Sequence, residues 1–218
     1  MIGTMPFLIL LGGDLDPTPR LLRQIAGART IAADGGIRHA APLGVRPELW
    51  VGDFDSSGSD MAAAWRDVPR QSHPPAKDMT DGELAAAEAI ARGASGLVIA
   101  GVFGGERSDH AMGNLLQGAA LRARGIPVLM TSGDEEGWPL LPGEQVIDLP
   151  AGSLFSVLAL SDLAGLTLRG VEWPLTNRDV PMGSSLTLSN RVAGSEGLKV
   201  GLGRGNAVLL ARPHFGPR

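Results

Sequence analysis

Two carboxylates one residue apart, Asp53 and Asp55, close the short apolar run Leu49-Trp50-Val51-Gly52 and are followed by Ser56. Successive side chains of a strand point to opposite faces, so a regular strand carries both acids to the same side. At the C-terminal end of a parallel strand they reach the crevice where open α/β sheets bind ligands. Like charges that close raise each other's pKa unless a cation lies between them. A divalent ion held by oxygen ligands and shared with phosphate answers that demand, and Mg²⁺ is the natural choice. A plain surface turn uses the same residue types, because Gly, Asp and Ser all favour turns. Only the other polar groups of the chain separate the two readings.

Those groups recur wherever an apolar run meets a helical segment. Gly12, Gly13 and Asp14 follow the first run, and Asp34, Gly35 and Gly36 the second. Lys77, Asp78, Thr80 and Asp81 precede a helix, while Gly104, Gly105, Arg107, Asp109 and His110 follow the run Leu97–Val102. In a parallel sheet such turns lie along one edge. Paired glycines let phosphate approach bare N–H groups, and a helix N-terminus favours an anion. Acids for metal, a lysine and an arginine for phosphate and glycines for close approach describe a Mg–nucleotide site. Each residue also has a plainer use: Asp81 as a helix-capping acid, Lys77 and Arg107 as solvated surface charges, and most of the 31 glycines as turn formers. No Gly-x-x-x-x-Gly-Lys-Ser/Thr loop and no protein-kinase signature is present.

The elements that must position these groups alternate in type up to about residue 132. Strands are expected at Phe7–Leu11, Thr30–Ala33, Leu49–Val51, Val68–Ser72, Leu97–Val102 and Pro127–Thr131. Between them, Thr18 with Pro19 opens one helix and Gly27 closes it. A short helix after Gly36 stops at Gly44, and another covers Ser59–Trp65. Thr80-Asp81-Gly82-Glu83 has the spacing of a capping box for an alanine-rich helix ending at Gly93. Ser108 caps a helix running to Arg124. Such alternation implies a mainly parallel, three-layer α/β sheet domain.

Beyond Ser132 the pattern changes. Gly133-Asp134-Glu135-Glu136-Gly137 reads as a polar hinge. Short runs at Gln145–Leu149, Leu154–Leu160, Gly165–Val171, Ser185–Leu188 and Ala207–Leu210 alternate with turn residues, the pattern of a small all-β sandwich. The expected division is an α/β domain over 1–135 and a β-sandwich over 136–218.

With 218 residues, 44 % hydrophobic, the chain can bury a sizeable core. A net charge of −4 speaks against a nucleic-acid partner, which needs a basic surface. The absence of cysteine excludes disulfides, thiolate zinc and a cysteine nucleophile, and fits a cytoplasmic protein. The run Pro6–Leu11 is too short to span a membrane. Of 19 basic residues only Lys77 and Lys199 are lysines.

The ordered set Asp34-Gly35-Gly36, Gly52-Asp53-Phe54-Asp55-Ser56, Lys77-Asp78-x-Thr80-Asp81 and Gly104-Gly105-x-Arg107-x-Asp109-His110-x-x-x-Asn114 resembles the thiamin pyrophosphokinase family. Trp173-x-x-Thr176-Asn177 and Thr187-x-Ser189-Asn190 look like that family's thiamin-binding domain. The resemblance spans nearly the whole chain, and Glu106 intrudes where the family runs Gly-Gly-Arg. It implies a homodimer with thiamin bound where two chains meet. It also implies Mg-dependent transfer of pyrophosphate from ATP to the thiamin hydroxyl, giving thiamin diphosphate and AMP.

On that basis Asp53, Asp55 and Asp81 are the expected Mg²⁺ ligands, and Lys77 and Arg107 hold phosphate oxygens. Gly13, Asp34, Gly35, Gly36, Thr80, Gly104, Gly105 and His110 line the nucleotide. Asp55, Asp81 and Asp109 remain equal candidates to accept the hydroxyl proton. Trp173, Ser189 and Asn190 are expected at thiamin. A haloacid-dehalogenase-like phosphatase with Asp53 as nucleophile, and a non-catalytic thiamin or nucleotide sensor, are the competing classes.

Overall fold

The apolar runs of the first half are laid side by side in the computed structural model, which describes residues 6–54, 59–72, 78–105, 107–194 and 197–213. The chain divides into two compact units, one of Met1–Gln117 with Ile126–Gly133 and one of Gly118–Gly125 with Asp134–Arg218.

In the first unit the strands are β1 (Pro6–Leu10), β2 (Arg29–Ala33), β3 (Leu49–Gly52), β4 (Arg70–Ser72), β5 (Gly96–Ala100) and β6 (Val128–Thr131). They pair in parallel in the order β6-β5-β1-β2-β3-β4. The helices between them are α1 (Pro19–Gln24), α2 (Ser59–Ala64), α3 (Asp81–Ala91) and α4 (Ser108–Ala123), with a 3-10 helix at Asp34–His39 after β2. Phe7 to Leu10 and Leu97 to Ala100 are almost wholly buried, because a central parallel strand is covered on both faces and reads as a continuous apolar run. Helix α3 lies against β1, β2 and β3, and its small buried residues Ala85, Ala86 and Ala89 allow that approach.

The strand order reverses between β1 and β5, and a crevice opens at the C-terminal ends of strands at such a reversal. The helix starts expected from sequence are present. Thr18 accepts a hydrogen bond from the Leu21 N–H, with Pro19 in the first turn. Thr80 and Glu83 form a reciprocal capping box.

The β3 exit departs from the expected regular strand. The strand ends at Gly52, and Phe54 adopts a left-handed backbone with φ 63°. The Phe54 ring meets Trp50 edge-on, with centroids 5.0 Å apart. The Arg70 guanidinium lies over both rings, 4.7 Å from Trp50 and 5.5 Å from Phe54. This packing accounts for a conformation that bulky residues avoid. Simple alternation therefore does not set the direction of Asp53, and Asp55 lies outside the described residues.

In the second unit the strands are β7 (Glu136–Leu140), β8 (Gly143–Ile147), β9 (Leu154–Ala159), β10 (Leu163–Arg169), β11 (Leu175–Val180), β12 (Asn190–Arg191), β13 (Leu198–Leu202) and β14 (Ala207–Arg212). Here β12-β9-β14-β7 and β11-β10-β13-β8 form two antiparallel layers. Phe155, Val157 and Leu209 of one layer share a core with Leu166, Leu168 and Val200 of the other, which makes this unit a β-sandwich.

Three details correct the sequence reading. The supposed hinge enters β7 at Glu136, whose side chain is fully buried and accepts a hydrogen bond from Trp138 Nε1 at 3.2 Å. Ser185–Leu188 forms turns, not a strand: Leu188 N–H bonds back to Ser185 O, and the Thr187 hydroxyl donates to Val157 O. The polar segment Leu175–Val180 does form a strand, at a sheet edge and mostly exposed. Edge strands facing water carry no apolar alternation for sequence reading to detect. Among the described residues no helix is long and apolar enough to cross a membrane.

Candidate active site

The turn after β1 lies against the turn after β5, and both are glycine because the backbones nearly touch. Gly13 N–H donates to Gly101 O at 3.0 Å, and Asp14 N–H donates to Phe103 O at 3.2 Å. A Cβ on Gly13 would stand 2.4 Å from Gly101 O, closer than any side chain can sit. The loop from Gly101 continues through Gly104 and Gly105, both at positive φ (73° and 83°). Gly105 N–H donates to Asp14 Oδ2 at 2.9 Å and so ties the two turns together.

Beside them the turn after β2 meets the end of β3. Asp34 has φ 41°, its carbonyl accepts from Trp50 Nε1 at 2.9 Å, and Gly52 passes close beneath its Cα. This contact brings the Asp34 turn next to Asp53. On the other side, the Thr80 cap holds the first turn of α3 with Asp81.

A cleft of about 810 Å³ opens between these turns, lined by Gly13, Asp34, Gly35, Asp53, Thr80, Asp81, Gly104, Gly105, Arg107, Asp109 and His110 among others. Its size matches pockets for small organic ligands. Arg107 and Asp109 form a bidentate ion pair, with Nε donating to Oδ1 at 3.0 Å and Nη2 to Oδ2. Its guanidinium holds the Asp109 carboxyl well below the usual carboxylate range, aided by a bond from the His110 N–H. Behind the cleft His39 Nε2 donates to Gly13 O at 2.9 Å. Burial pushes the His39 pKa down, so the neutral ring with its proton on Nε2 suits that bond.

Residues 24–130 match the family model for the thiamin pyrophosphokinase catalytic domain, and residues 144–205 that for its vitamin B1 binding domain. Over 174 residues the chain is 30 % identical to the thiamine pyrophosphokinase of Bacillus subtilis (strain 168), covering 77 % of this chain and 79 % of that protein. The chain belongs to the thiamin pyrophosphokinase family.

Solved structures agree on the fold of the family. A crystal structure of thiamine pyrophosphokinase from Bacillus subtilis superposes with TM-score 0.83 at 23 % identity, covering 96 % of this chain and all of that one. A thiamin pyrophosphokinase family protein from Enterococcus faecalis gives 0.80 at 25 % identity, covering 97 % of this chain and 100 % of the other. The enzyme from Candida albicans gives 0.79 at 15 % identity, covering 96 % of this chain and 89 % of its own.

Of the residues singled out in sequence, Lys77, Asp55, Ser56 and Glu106 lie outside the described residues, and Gly36 is fixed by packing. Gly36 is buried, and a Cβ there would lie 2.1 Å from Leu10 O. Its missing side chain lets the 3-10 helix pack on β1. Among the described residues no group of three or more acidic or histidine side chains is placed to hold a metal ion. Asp53 and Asp81 line the same cleft, and carboxylate oxygens are a donor type that fits Mg²⁺.

In the β-sandwich Trp173 is 60 % exposed, whereas Asn190 is 6 % exposed. Asn190 Nδ2 donates to Trp173 O at 2.8 Å, and its Oδ1 accepts from the N–H groups of Trp173 and Arg191. Those bonds tie the amide to the backbone, so Asn190 holds the Trp173 turn in place. Ser189 has φ 61° and its N–H donates to Ser156 Oγ at 3.0 Å.

Sequence reading missed Arg38, which lines the cleft from the 3-10 helix. It also missed Asp14 as the tie between the two glycine turns. A basic residue four positions after Asp34 was the available signal for Arg38, and the long-range contact of Asp14 left none.

Proposed function

We propose that this chain catalyses transfer of the terminal pyrophosphate of a nucleoside triphosphate, ATP in the first instance, to the hydroxyl of thiamin. The observation that carries the reading is the gathering of Gly13, Asp53, Asp81, Gly104 and Arg107, from four separate turns, around one cleft. In the reaction the thiamin hydroxyl oxygen bonds to the β-phosphorus, the bond from that phosphorus to the α–β bridging oxygen breaks, and AMP leaves with the bridging oxygen.

Such transfers depend on positioning and charge neutralisation more than on covalent help. The glycine turns permit close approach of the phosphate tail, and Arg107 neutralises charge on it once the tail competes with Asp109. Asp53 and Asp81 would hold Mg²⁺, with Asp55 as the third carboxylate. When bound, the ion supplies Lewis-acid stabilisation of the phosphate oxygens. A carboxylate takes the hydroxyl proton. Asp55, Asp81 and Asp109 are the candidates for that role. Lys77 completes the phosphate contacts.

Trp173 offers an exposed aromatic face for stacking on the pyrimidine or facing the thiazolium, and Ser189 directly precedes Asn190, whose amide bonds the Trp173 backbone. Thiamin bound between the two chains of a homodimer, in the cytoplasm, completes the reading.

The test is incubation with ATP, Mg²⁺ and thiamin followed by product identification. AMP with thiamin diphosphate is expected. Inorganic phosphate formed without dependence on thiamin would show a phosphatase instead, and saturable thiamin binding without turnover would show a sensor.

A further inference from the structure

The cleft is rich in acids, with Asp34, Asp53, Asp78, Asp81 and Asp109 on its walls, yet its proposed ligand is a polyanion. Two described arginines line it, and they differ in how their charge is used. Arg107 is bound on two nitrogens by Asp109. Arg38 is exposed and forms no ion pair with a described carboxylate; its Nη2 donates to the carbonyls of Gly12 and Gly13, at 3.0 Å to the latter. Neutral carbonyls orient a guanidinium without cancelling its charge, so the remaining donors keep their pull on an anion.

The surroundings of the other nitrogen leave space for one. Arg38 Nη1 stands 4.0 Å from the position a Cβ would take on Gly12 and 3.7 Å from that on Gly35. Both neighbours are glycine, so neither puts a side chain into the space beside that nitrogen. A planar guanidinium with free parallel donors matches phosphate oxygens better than any sugar or base group. The same side chain also fixes the carbonyls of the turn that Gly13 and Asp14 anchor to the loop after β5.

We propose that Arg38 binds the phosphate tail of the nucleoside triphosphate and, through the Gly12 and Gly13 carbonyls, orients the turn beneath it. This inference rests on the function proposed above.

The experiment compares wild type with Arg38→Gln, which keeps N–H donors for the carbonyls but removes the charge, and with Arg38→Lys, which keeps the charge. Calorimetric titration with α,β-methylene-ATP and with AMP, both with Mg²⁺, is paired with steady-state kinetics and thermal melting. For Arg38→Gln the Kd of the triphosphate analogue and the KM for ATP rise about tenfold, as expected on losing a charge-assisted contact. AMP affinity and the KM for thiamin change less than about twofold, the size of a neutral surface change. Arg38→Lys recovers part of the loss. Unchanged analogue affinity in an active, folded Arg38→Gln protein would overturn the inference. Equal loss for AMP and the triphosphate would overturn a contact with the tail beyond the first phosphate, and loss only in step with a lower melting temperature would assign Arg38 to the fold alone. Failure of the wild type to bind or turn over ATP would instead overturn the proposed function, and this inference with it.

Discussion

Arg107 holds the carboxylate of Asp109, two residues further along the chain, through paired N–H donors, Nε to Oδ1 at 3.0 Å and Nη2 to Oδ2. The pair sits at the mouth of the cleft with both side chains about two-thirds exposed. An acid whose folded pKa lies below its unfolded one favours the folded state above about pH 4, and loses that contribution as pH falls through the folded value. Carboxyl chemical-shift titration should therefore place the Asp109 midpoint below that of a free aspartate, near 3.9, and Arg107→Ala should return it there. A midpoint near 3.9 in the wild type would show the pair to be absent in solution.

Asp53→Asn removes charge from the cleft without adding volume. We expect turnover to fall by on the order of 10²-fold or more, the scale seen when a charge-stabilising group is lost. Circular dichroism and melting temperature should stay near those of the wild type, because Asp53 is half-buried at a loop and outside the core. Full activity in this variant would remove Asp53 from the proposed metal site.

Gly36→Ala separates a packing glycine from a nucleotide-binding one. With a Cβ 2.1 Å from Leu10 O, either the 3-10 helix or β1 must shift, at a cost of about 1–3 kcal/mol for overpacking. Urea denaturation should show a lower midpoint with an unchanged slope. A variant as stable as the wild type but unable to bind nucleotide would reverse that assignment.

Trp173→Ala and Asn190→Ala should fail in different ways. Trp173 is largely exposed, so its removal should leave stability within about 0.5 kcal/mol while raising the KM for thiamin. Asn190 is buried with three backbone bonds, and its loss should cost about 1–3 kcal/mol as well as thiamin affinity. Equal thermal stability of the two variants would contradict the clamp.

The sequence by itself determined the strand–helix alternation of the first unit and the edge its turns share. Strands such as Leu97–Ala100 are recognisable because burial on both faces demands uninterrupted apolar residues, and helix starts at Thr18 and Thr80 because capping is a local hydrogen bond. Residue types at the turns also marked the site, since a parallel sheet sends all of them to one edge. The tertiary structure alone decided what distance in sequence conceals. Gly36 lets the 3-10 helix close on β1, Asn190 bonds the Trp173 backbone, and Phe54 turns the chain after Asp53 because its ring packs on Trp50. Arg38 reached the cleft for the same reason: two carbonyls some 25 residues earlier, Gly12 O and Gly13 O, hold its guanidinium there. Local signals follow from the chain's own neighbours, whereas the partner of a side chain is set by which backbone the fold brings beside it.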